Sequence, residues 1–307
     1  MSSTKILNFD YYYYLFYHYV YYPIILLLVR LFLLKSKLFT AKTALKQPIL
    51  HTLPYSHYCE KVRWVLDLQN ETYLEKPHGL MTYAPFSLYH TRAEYRRVPI
   101  IVLENKNTIT DSTNILLYFF EKFPEKYKWL YPNSEAKEIE EYLDLNLGST
   151  VMRLIYPTFF NRDNTHTLSC WLNNLHGNIP SWESVMFGVL VRDFRFVIES
   201  NKGPFSQDTN SSLKKLEEVF AYVNKLLKER RYLANTSHIT AADITFASLS
   251  LPLLCPEKME NLYIKSSDFP SDFQEIIKKF RNTQAGQFAL KLYEKERTKT
   301  EKVQLKK

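Results

Sequence analysis

The feature that most restricts the fold of this sequence is the alternation of short apolar segments and amphipathic segments between residues 48 and 127. The segment PILHTLP is typical of a buried strand, and residues 58–70 repeat apolar side chains along one helical face. ETYLEK predicts a second strand, VPIIVLENKNTI predicts two strands around a turn, and DSTNILLYFFEKF predicts a helix. A strand, a helix and a strand, followed by a hairpin and a helix, predict a small α/β domain.

The C-terminal half has a different pattern, because helices and no strand are predicted after Ser134. The predicted helices are Ser134 to Arg153, Trp182 to Glu199, Leu213 to Arg230, Ala241 to Leu251, Asp272 to Arg281 and Gln284 to Glu296. The α/β part has the order of elements of a thioredoxin-like domain, so the predicted fold class is a thioredoxin-like domain followed by an all-α domain. We expect an N-terminal segment at 1–47, the α/β domain at 48–127, a linker at 128–140, the helical domain at 141–295 and a basic tail at 296–307.

Charge and cysteine content exclude several classes of protein. The formal charge is +8, but residues 1–47 hold an excess of five positive charges and residues 295–307 an excess of four, which leaves a nearly neutral body. A nearly neutral body is not typical of a domain that binds the phosphate backbone of a nucleic acid, so no nucleic-acid partner is predicted. The three cysteines, Cys59, Cys170 and Cys255, are odd in number and widely spaced, which argues against a disulfide framework and favours a reducing compartment.

The N-terminal segment contains a long apolar and aromatic stretch, Tyr11 to Leu34. As a helix its 24 residues would extend about 36 Å, against about 30 Å for a hydrocarbon core. The basic residues that follow it predict a single-pass membrane span with the C-terminal domains facing the cytosol. The alternative is a helix lying on the membrane surface, which the tyrosines partly support; the sequence favours the span.

Two predicted helix starts carry acidic capping side chains. In ITAADI, Thr240 and Asp243 have the spacing of a capping box, which is a structural motif. In TDS, Asp111 and Ser112 supply a helix cap and also a possible ligand site. The free amides and positive end of a helix hold a carboxylate, while the Asp111 carboxylate binds an ammonium group, so an amino-acid head group would satisfy both.

Four motifs together resemble the glutathione S-transferase family over residues 48–295. SHYCEKVRW is similar to the SxxC start of the first helix in serine-type transferases, and to a bacterial-type subgroup of them. RVPIIVL is similar to the family's Val and cis-Pro segment, TITDSTNILLYF to its acidic-Ser motif, and HITAADITFASL to its helical-domain capping box. The order and spacing of the four motifs carry the resemblance.

The resemblance implies a function and a set of site residues. Glutathione would be the co-substrate and a small apolar electrophile its partner, with the γ-glutamyl head group bound at Asp111 and Ser112. A cis bond before Pro99 would present the backbone of Val98 to the cysteinyl part of glutathione. Ser56 would stabilise the glutathione thiolate. The family is commonly dimeric, so a homodimer is expected.

In this role Ser56 would favour the ionised form of the glutathione thiol. A free thiol has a pKa of about 8.5 and is about 3% ionised at pH 7. A hydroxyl hydrogen bond to the thiolate is worth about 1.5 to 3 kcal/mol and a helix N-terminus about 0.3 to 1, which together lower the pKa by about 1.5 to 3 units. Cys59 is the alternative catalytic residue, because a thiol near a helix start can itself be reactive; the sequence favours Ser56.

Several residues depart from the family pattern. His57 stands where many relatives carry proline, and is interpreted as a residue that alters the entry into the helix, as a proton carrier near pH 7 or as a solvated first-turn residue. The irregular stretch 77–97 contains three candidate carboxylate-binding residues, Arg92, Arg96 and Arg97. The set His166, Cys170 and His176 resembles a metal cluster only loosely, and a loop is the favoured interpretation there, so no metal site is predicted.

Three functions remain open at this point. The first is a membrane-tethered glutathione transferase that conjugates apolar electrophiles. The second is a glutathione-dependent thiol oxidoreductase that uses Cys59. The third is a non-catalytic, membrane-anchored adaptor of the same fold. Glutathione binding separates the adaptor from both enzymes.

Overall fold

The computed structural model describes residues 46–80, 82–161, 165–185, 209–260 and 263–297. The predicted membrane segment, residues 11–34, lies outside these ranges. No helix within the described ranges combines the length and the apolar character needed to cross a bilayer.

The α/β part forms a four-stranded mixed sheet in the order β2-β1-β3-β4. Its elements are β1 Ile49–Thr52, α1 His57–Leu68, β2 Leu74–Pro77, α2 Tyr83–His90, β3 Ile100–Val102, β4 Thr108–Thr110 and α3 Ser112–Lys122. The strand β1 is parallel to β2 and antiparallel to β3, with Leu50 opposite Ile101 in the register. Both residues are fully buried, so the apolar central strands form the core of the sheet. The predicted order of strands and helices is confirmed, and the irregular stretch 77–97 contains the short helix α2.

Helical structure also occurs between α3 and Ser134, where none was predicted. A short helix α4, Pro124–Tyr127, and a 3-10 turn, Lys128–Leu130, precede α5, Ser134–Leu143. Asn133 caps α5 by accepting a hydrogen bond from the amide of Ala136 at 2.9 Å. Part of the predicted linker 128–140 is therefore helical.

A π-helical segment, Asp144–Gly148, joins α5 to α6, Ser149–Phe160. Gly148 leaves room there for two side chains, because a Cβ at this position would overlap the hydroxyl of Tyr58 and lie 3.1 Å from Nε2 of His57. The glycine therefore lets α6 approach the first turn of α1 closely. Widened turns of this kind are frequent at functional sites.

The remaining described helices complete the all-α part. They are α7 Thr165–Asn178, α8 Thr209–Leu227, α9 Ala241–Leu254, α10 Ser271–Arg281 and α11 Gln284–Lys295. Every residue of α9 is buried, and this helix packs against α1, α5, α6 and α11. Of the predicted helix Trp182 to Glu199, residues 182–185 are helical and the rest lies outside the described residues.

The loop predicted around His166 and Cys170 is wrong, because both residues lie on α7. The helix is amphipathic, and Leu168, Trp171 and Leu175 are buried. Their spacing of three and four residues is the helical signal that the sequence contained. Because polar residues lie between these three apolar residues, the helical spacing was not recognised in the sequence.

The capping motif at α9 has a fully buried carboxylate. Asp243 accepts hydrogen bonds from the Thr240 amide at 2.8 Å, the Thr240 hydroxyl at 2.7 Å and the Leu233 amide at 2.8 Å. Burial raises the pKa of Asp243 to about 6, although these hydrogen bonds act in the opposite direction. The Thr240 hydroxyl therefore helps to satisfy a carboxylate that has no contact with water.

Replacing Thr240 with alanine is expected to lower the free energy of unfolding by about 1 kcal/mol, because it removes a capping hydroxyl. Urea denaturation of the full chain measures the change. The control is Thr236→Ala, whose exposed hydroxyl donates only to the His238 carbonyl, and which should change stability by less than about 0.5 kcal/mol. Equal losses in the two variants would contradict the structural role.

Candidate functional site

A cleft of about 500 Å³ opens between the α/β part and α6. Ser56, Val98, Pro99, Asp111 and Ser112, which the sequence analysis selected from three separate segments, all line it. The Val98–Pro99 peptide bond is cis. Cys59, the alternative catalytic residue, does not line the cleft. The volume lies within the range of about 300 to 1,000 Å³ that is usual for small-molecule sites.

Ser56 stands at the end of β1 and caps α1. Its Oγ accepts a hydrogen bond from the Cys59 amide at 3.3 Å, and its side chain is partly exposed to the cleft. The cap uses a lone pair of the oxygen, so the hydroxyl proton can still be donated to a ligand. Capping and thiolate binding therefore use different parts of the same group and do not compete.

Cys59 is fully buried beneath the same helix turn. Its Sγ accepts a hydrogen bond from the Leu53 amide at 3.5 Å. Burial raises the pKa of the thiol and outweighs the opposing effect of Arg63. Cys59 is therefore a protonated thiol without access to the cleft.

Asp111 and Ser112 form the start of α3 at the far side of the cleft. Asp111 adopts a positive φ of 73°, and its Oδ1 accepts hydrogen bonds from the amides of Thr113 at 2.9 Å and Asn114 at 3.4 Å. Aspartate is one of the few residue types that adopt a positive φ readily. Ser112 is 1% exposed, and its hydroxyl has no hydrogen-bond partner among the described residues. A buried, unsatisfied hydroxyl beside an anchored carboxylate is suited to bind a polar head group.

A buried network of ion pairs and hydrogen bonds stabilises the start of α3. Nζ of Lys61 on α1 contacts the carboxylates of Glu140 and Asp144 and donates to Oγ1 of Thr113 at 2.9 Å. The Thr113 hydroxyl in turn donates to Glu140 at 2.7 Å. Burial by itself would lower the pKa of Lys61, but Glu140 and Asp144 outweigh it and raise that pKa. Lys61 is therefore a buried cation that links α1 and α5 to the first turn of α3.

Sequence reasoning missed this network. Lys61 lies 79 positions from Glu140 and 83 from Asp144 in the chain. No local spacing relates these residues, so no signal in the sequence could have grouped them.

His57 is neither the solvated residue nor the proton carrier near pH 7 that the sequence suggested. The side chain is 3% exposed, which corrects the interpretation as a solvated residue. Burial lowers its pKa to about 3, with a smaller opposing effect from the Gly148 backbone. The imidazole is therefore neutral near pH 7 and does not titrate there, because desolvation disfavours its charged form.

The rest of the cleft combines aromatic and basic side chains. Arg96 and Arg97 line it, as does Arg153 of α6, which the sequence analysis did not select; Arg92 does not. The aromatic and apolar side chains include Tyr55, Tyr58, Tyr83, Tyr95, Met152 and Tyr156. Trp171 does not line the cleft, but its ring centroid lies 4.6 Å from that of Tyr55, which does. A larger groove of about 1420 Å³ lies over α10 and α11 and contains none of the predicted site residues.

A thioredoxin-like α/β part with a helical part packed on it is the glutathione S-transferase fold. Residues 50–127 match the family model described as the N-terminal domain of glutathione S-transferase. No curated protein sequence matches the chain.

Solved structures show the same fold over most of the chain. A glutathione S-transferase of Ceriporiopsis subvermispora in complex with glutathione is 15% identical, with a TM-score of 0.55, covering 83% of this chain and 100% of its own. A glutathione transferase from Phanerochaete chrysosporium is 16% identical, with a TM-score of 0.51, covering 80% and 98%. A second C. subvermispora glutathione S-transferase in complex with glutathione is 14% identical, with a TM-score of 0.51, covering 81% and 98%.

Proposed function

We propose that the protein is a glutathione transferase that uses Ser56 to activate the glutathione thiol for attack on small apolar electrophiles. The observation that carries the proposal is the convergence of Ser56, Val98, Asp111 and Ser112 on one cleft. These residues come from different segments of the sequence, and together they supply the groups that bind a peptide with an amino-acid head and a thiol. The fold shared with glutathione-bound structures supports the choice of peptide.

In the proposed complex, the γ-glutamyl head group lies at the start of α3. Its ammonium group pairs with Asp111, and its carboxylate accepts from the hydroxyl and the backbone amide of Ser112. The backbone of Val98 pairs with the cysteinyl unit. The thiol then lies at the N-terminus of α1, where it releases its proton to solvent and the Ser56 hydroxyl donates a hydrogen bond to the resulting thiolate.

The thiolate attacks an electrophilic carbon, so that a carbon–sulfur bond forms as the leaving group departs with its electron pair. Both Ser56 and the positive end of α1 favour the ionised thiol over the protonated one. The tyrosines and Met152 that line the same cleft provide aromatic and apolar surface, which supports an apolar co-substrate.

Membrane attachment is part of the proposal and rests on the sequence. Residues 11–34 would anchor the chain as a single span, with the catalytic part in the cytosol, where apolar electrophiles leave the bilayer. The basic residues after the span support this orientation. A homodimer is also proposed, from the resemblance alone.

The burial of Cys59 argues against an oxidoreductase that uses this residue. A thiol that reacts by exchange must be accessible and ionised. Cys59 is neither, since it is fully buried and its pKa is raised.

Replacing Asp111 with asparagine tests the proposed glutathione site. Asparagine keeps the cap acceptor and tolerates the positive φ, so folding is retained while the negative charge is lost. A charged hydrogen bond is worth about 1.5 to 3 kcal/mol, so the affinity for glutathione should fall about 10- to 100-fold. Isothermal titration calorimetry on the full chain in detergent micelles measures it.

Two controls make this result specific. Asp272→Asn changes an acidic residue in the first turn of α10, outside the cleft, and should leave the affinity unchanged. A glutathione analogue without the α-amino group should bind the parent protein and Asp111→Asn equally well. A folded parent protein that binds no glutathione would instead support the adaptor, and equal affinities of the parent and Asp111→Asn for glutathione would reject the assigned head-group site.

A further inference from the structure

Three side chains capable of binding a metal meet on the surface of the helical part, outside the cleft. His166 and Cys170 lie one turn apart on α7, and Asp268 belongs to the short turn Ser266–Asp268 that packs against this helix. One ligand atom from each residue lies within 4.8 Å of the other two. His166 is exposed, while Cys170 and Asp268 are half-buried, so the cluster is open to solvent on one side.

The distance between the two ligands on α7 matches a tetrahedral metal. Sγ of Cys170 and Nε2 of His166 are 3.6 Å apart. Zinc binds thiolate at about 2.3 Å and imidazole at about 2.0 to 2.1 Å, and a tetrahedral angle between these bonds separates sulfur from nitrogen by about 3.6 Å. The two ligands already have the required separation, and only the Asp268 carboxylate has to move inward.

Hydrogen bonds hold the two sides of the cluster together. The Thr167 hydroxyl donates to the backbone carbonyl of Asp268 at 2.7 Å, and the Asn174 side chain donates to the carbonyl of Tyr263 at 3.1 Å. The Asp268 carboxylate accepts from the Lys265 amide through Oδ2 at 3.1 Å, which leaves its other oxygen to bind a cation. The ligands are thus held in position by contacts that do not depend on a metal.

We infer that His166, Cys170 and Asp268 form a Zn²⁺ site, with a water molecule as the fourth ligand. The ligand set of nitrogen, sulfur and oxygen is one that Zn²⁺ accepts, whereas Mg²⁺ and Ca²⁺ require oxygen ligands. A thiolate and a carboxylate together balance the charge of a divalent cation.

Binding of zinc at this cluster balances in protons. Zinc uptake releases the thiol proton to solvent as the sulfur–zinc bond forms, and no oxidant or reductant is needed.

A bound cation would stabilise the wall of the cleft. Trp171 follows Cys170 and packs on Tyr55 with ring centroids 4.6 Å apart, and Phe269 follows Asp268 and packs on Phe159 at 5.5 Å. A metal that links α7 to the turn at 266–268 therefore restricts the movement of Trp171 on α7 and of Phe269 next to the turn. The inference itself does not depend on the proposed transferase activity.

Cobalt titration of the full chain, stripped of metal with a chelator, tests the site. Co²⁺ occupies zinc sites and gives a thiolate-to-metal charge-transfer band only when a cysteine is a ligand. We expect one equivalent of Co²⁺ to produce this band and Zn²⁺ to abolish it by displacement. Cys170→Ser should remove the band, and His166→Ala or Asp268→Asn should weaken binding at least 100-fold, since the loss of a ligand costs more than the loss of a supporting residue.

Two control variants test whether the metal binds specifically to the thiol of Cys170 and the imidazole of His166. Cys255→Ser removes a buried thiol whose pKa burial raises to about 12, and His238→Ala removes a histidine outside the cluster; neither should change the titration. Zinc should also raise the melting temperature of the parent protein and not that of Cys170→Ser. Absence of the charge-transfer band in the parent, or an unchanged band in Cys170→Ser, would overturn the inference.

Discussion

Replacing Ser56 with alanine is expected to lower kcat for glutathione conjugation about 10- to 100-fold at neutral pH, while glutathione affinity changes little. The hydroxyl hydrogen bond to the thiolate is worth about 1.5 to 3 kcal/mol, and its loss raises the pKa of the bound thiol by about one to two units. Most of the proposed binding contacts lie at Val98, Asp111 and Ser112, and the substitution leaves these residues unchanged. Stopped-flow or steady-state assays with a chromogenic electrophile measure the rate.

The pH profile of kcat distinguishes this effect from a general loss of structure. A hydroxyl donor favours the ionised thiol, so its removal moves the apparent pKa upward, and the deficit must be largest at low pH. The deficit should disappear well above pH 8.5, where the thiol ionises without help. A deficit that is equal at every pH would reject thiolate stabilisation by Ser56.

Two further variants control for the helix cap. Ser56→Ala also removes the cap of α1, at a cost of about 1 kcal/mol of stability. Ser56→Thr keeps a hydroxyl and should recover most of the activity. Ser149→Ala changes another serine that lines the cleft, and it should leave the pH profile unchanged.

Replacing Lys61 with methionine is expected to reduce the free energy of unfolding by about 3 to 5 kcal/mol. Lys61 and Glu140 are both buried, so the substitution leaves a carboxylate without its cation in a place that water does not reach. Because the same amine supports Thr113 in the first turn of α3, glutathione affinity should fall as well. Chemical denaturation and calorimetry of the full chain measure the two changes.

A surface ion pair and a double variant provide the controls. Lys126 pairs with Glu71 at 2.7 Å, but its side chain is 43% exposed, so Lys126→Met should cost less than about 1 kcal/mol. Adding Glu140→Leu to Lys61→Met removes the stranded charge and should restore a large part of the stability. Similar losses for Lys61→Met and Lys126→Met would show that the buried network contributes little.

Most of the sheet and of the helix starts could be predicted from the sequence, because their signals are local. The strands around Leu50 and Ile101 are apolar, and the caps at Ser56, Asn133 and Thr240 involve residues within three positions of the groups they bind. The helix α7 was missed although Leu168, Trp171 and Leu175 follow a helical period. Its cluster of His166 and Cys170 with Asp268 could not be predicted, since Asp268 comes from a distant part of the chain.

What the sequence determined by itself is the order of elements and the chemical type of each candidate side chain, because periodicity, capping and turn formation act over a few residues. Tertiary structure decided which of those side chains reach the cleft: it buried Cys59 and His57, left Ser56 accessible, and brought Lys61 to Glu140. The physical reason is that burial, and with it the pKa of a thiol, an imidazole or an amine, depends on which distant segments pack around the group.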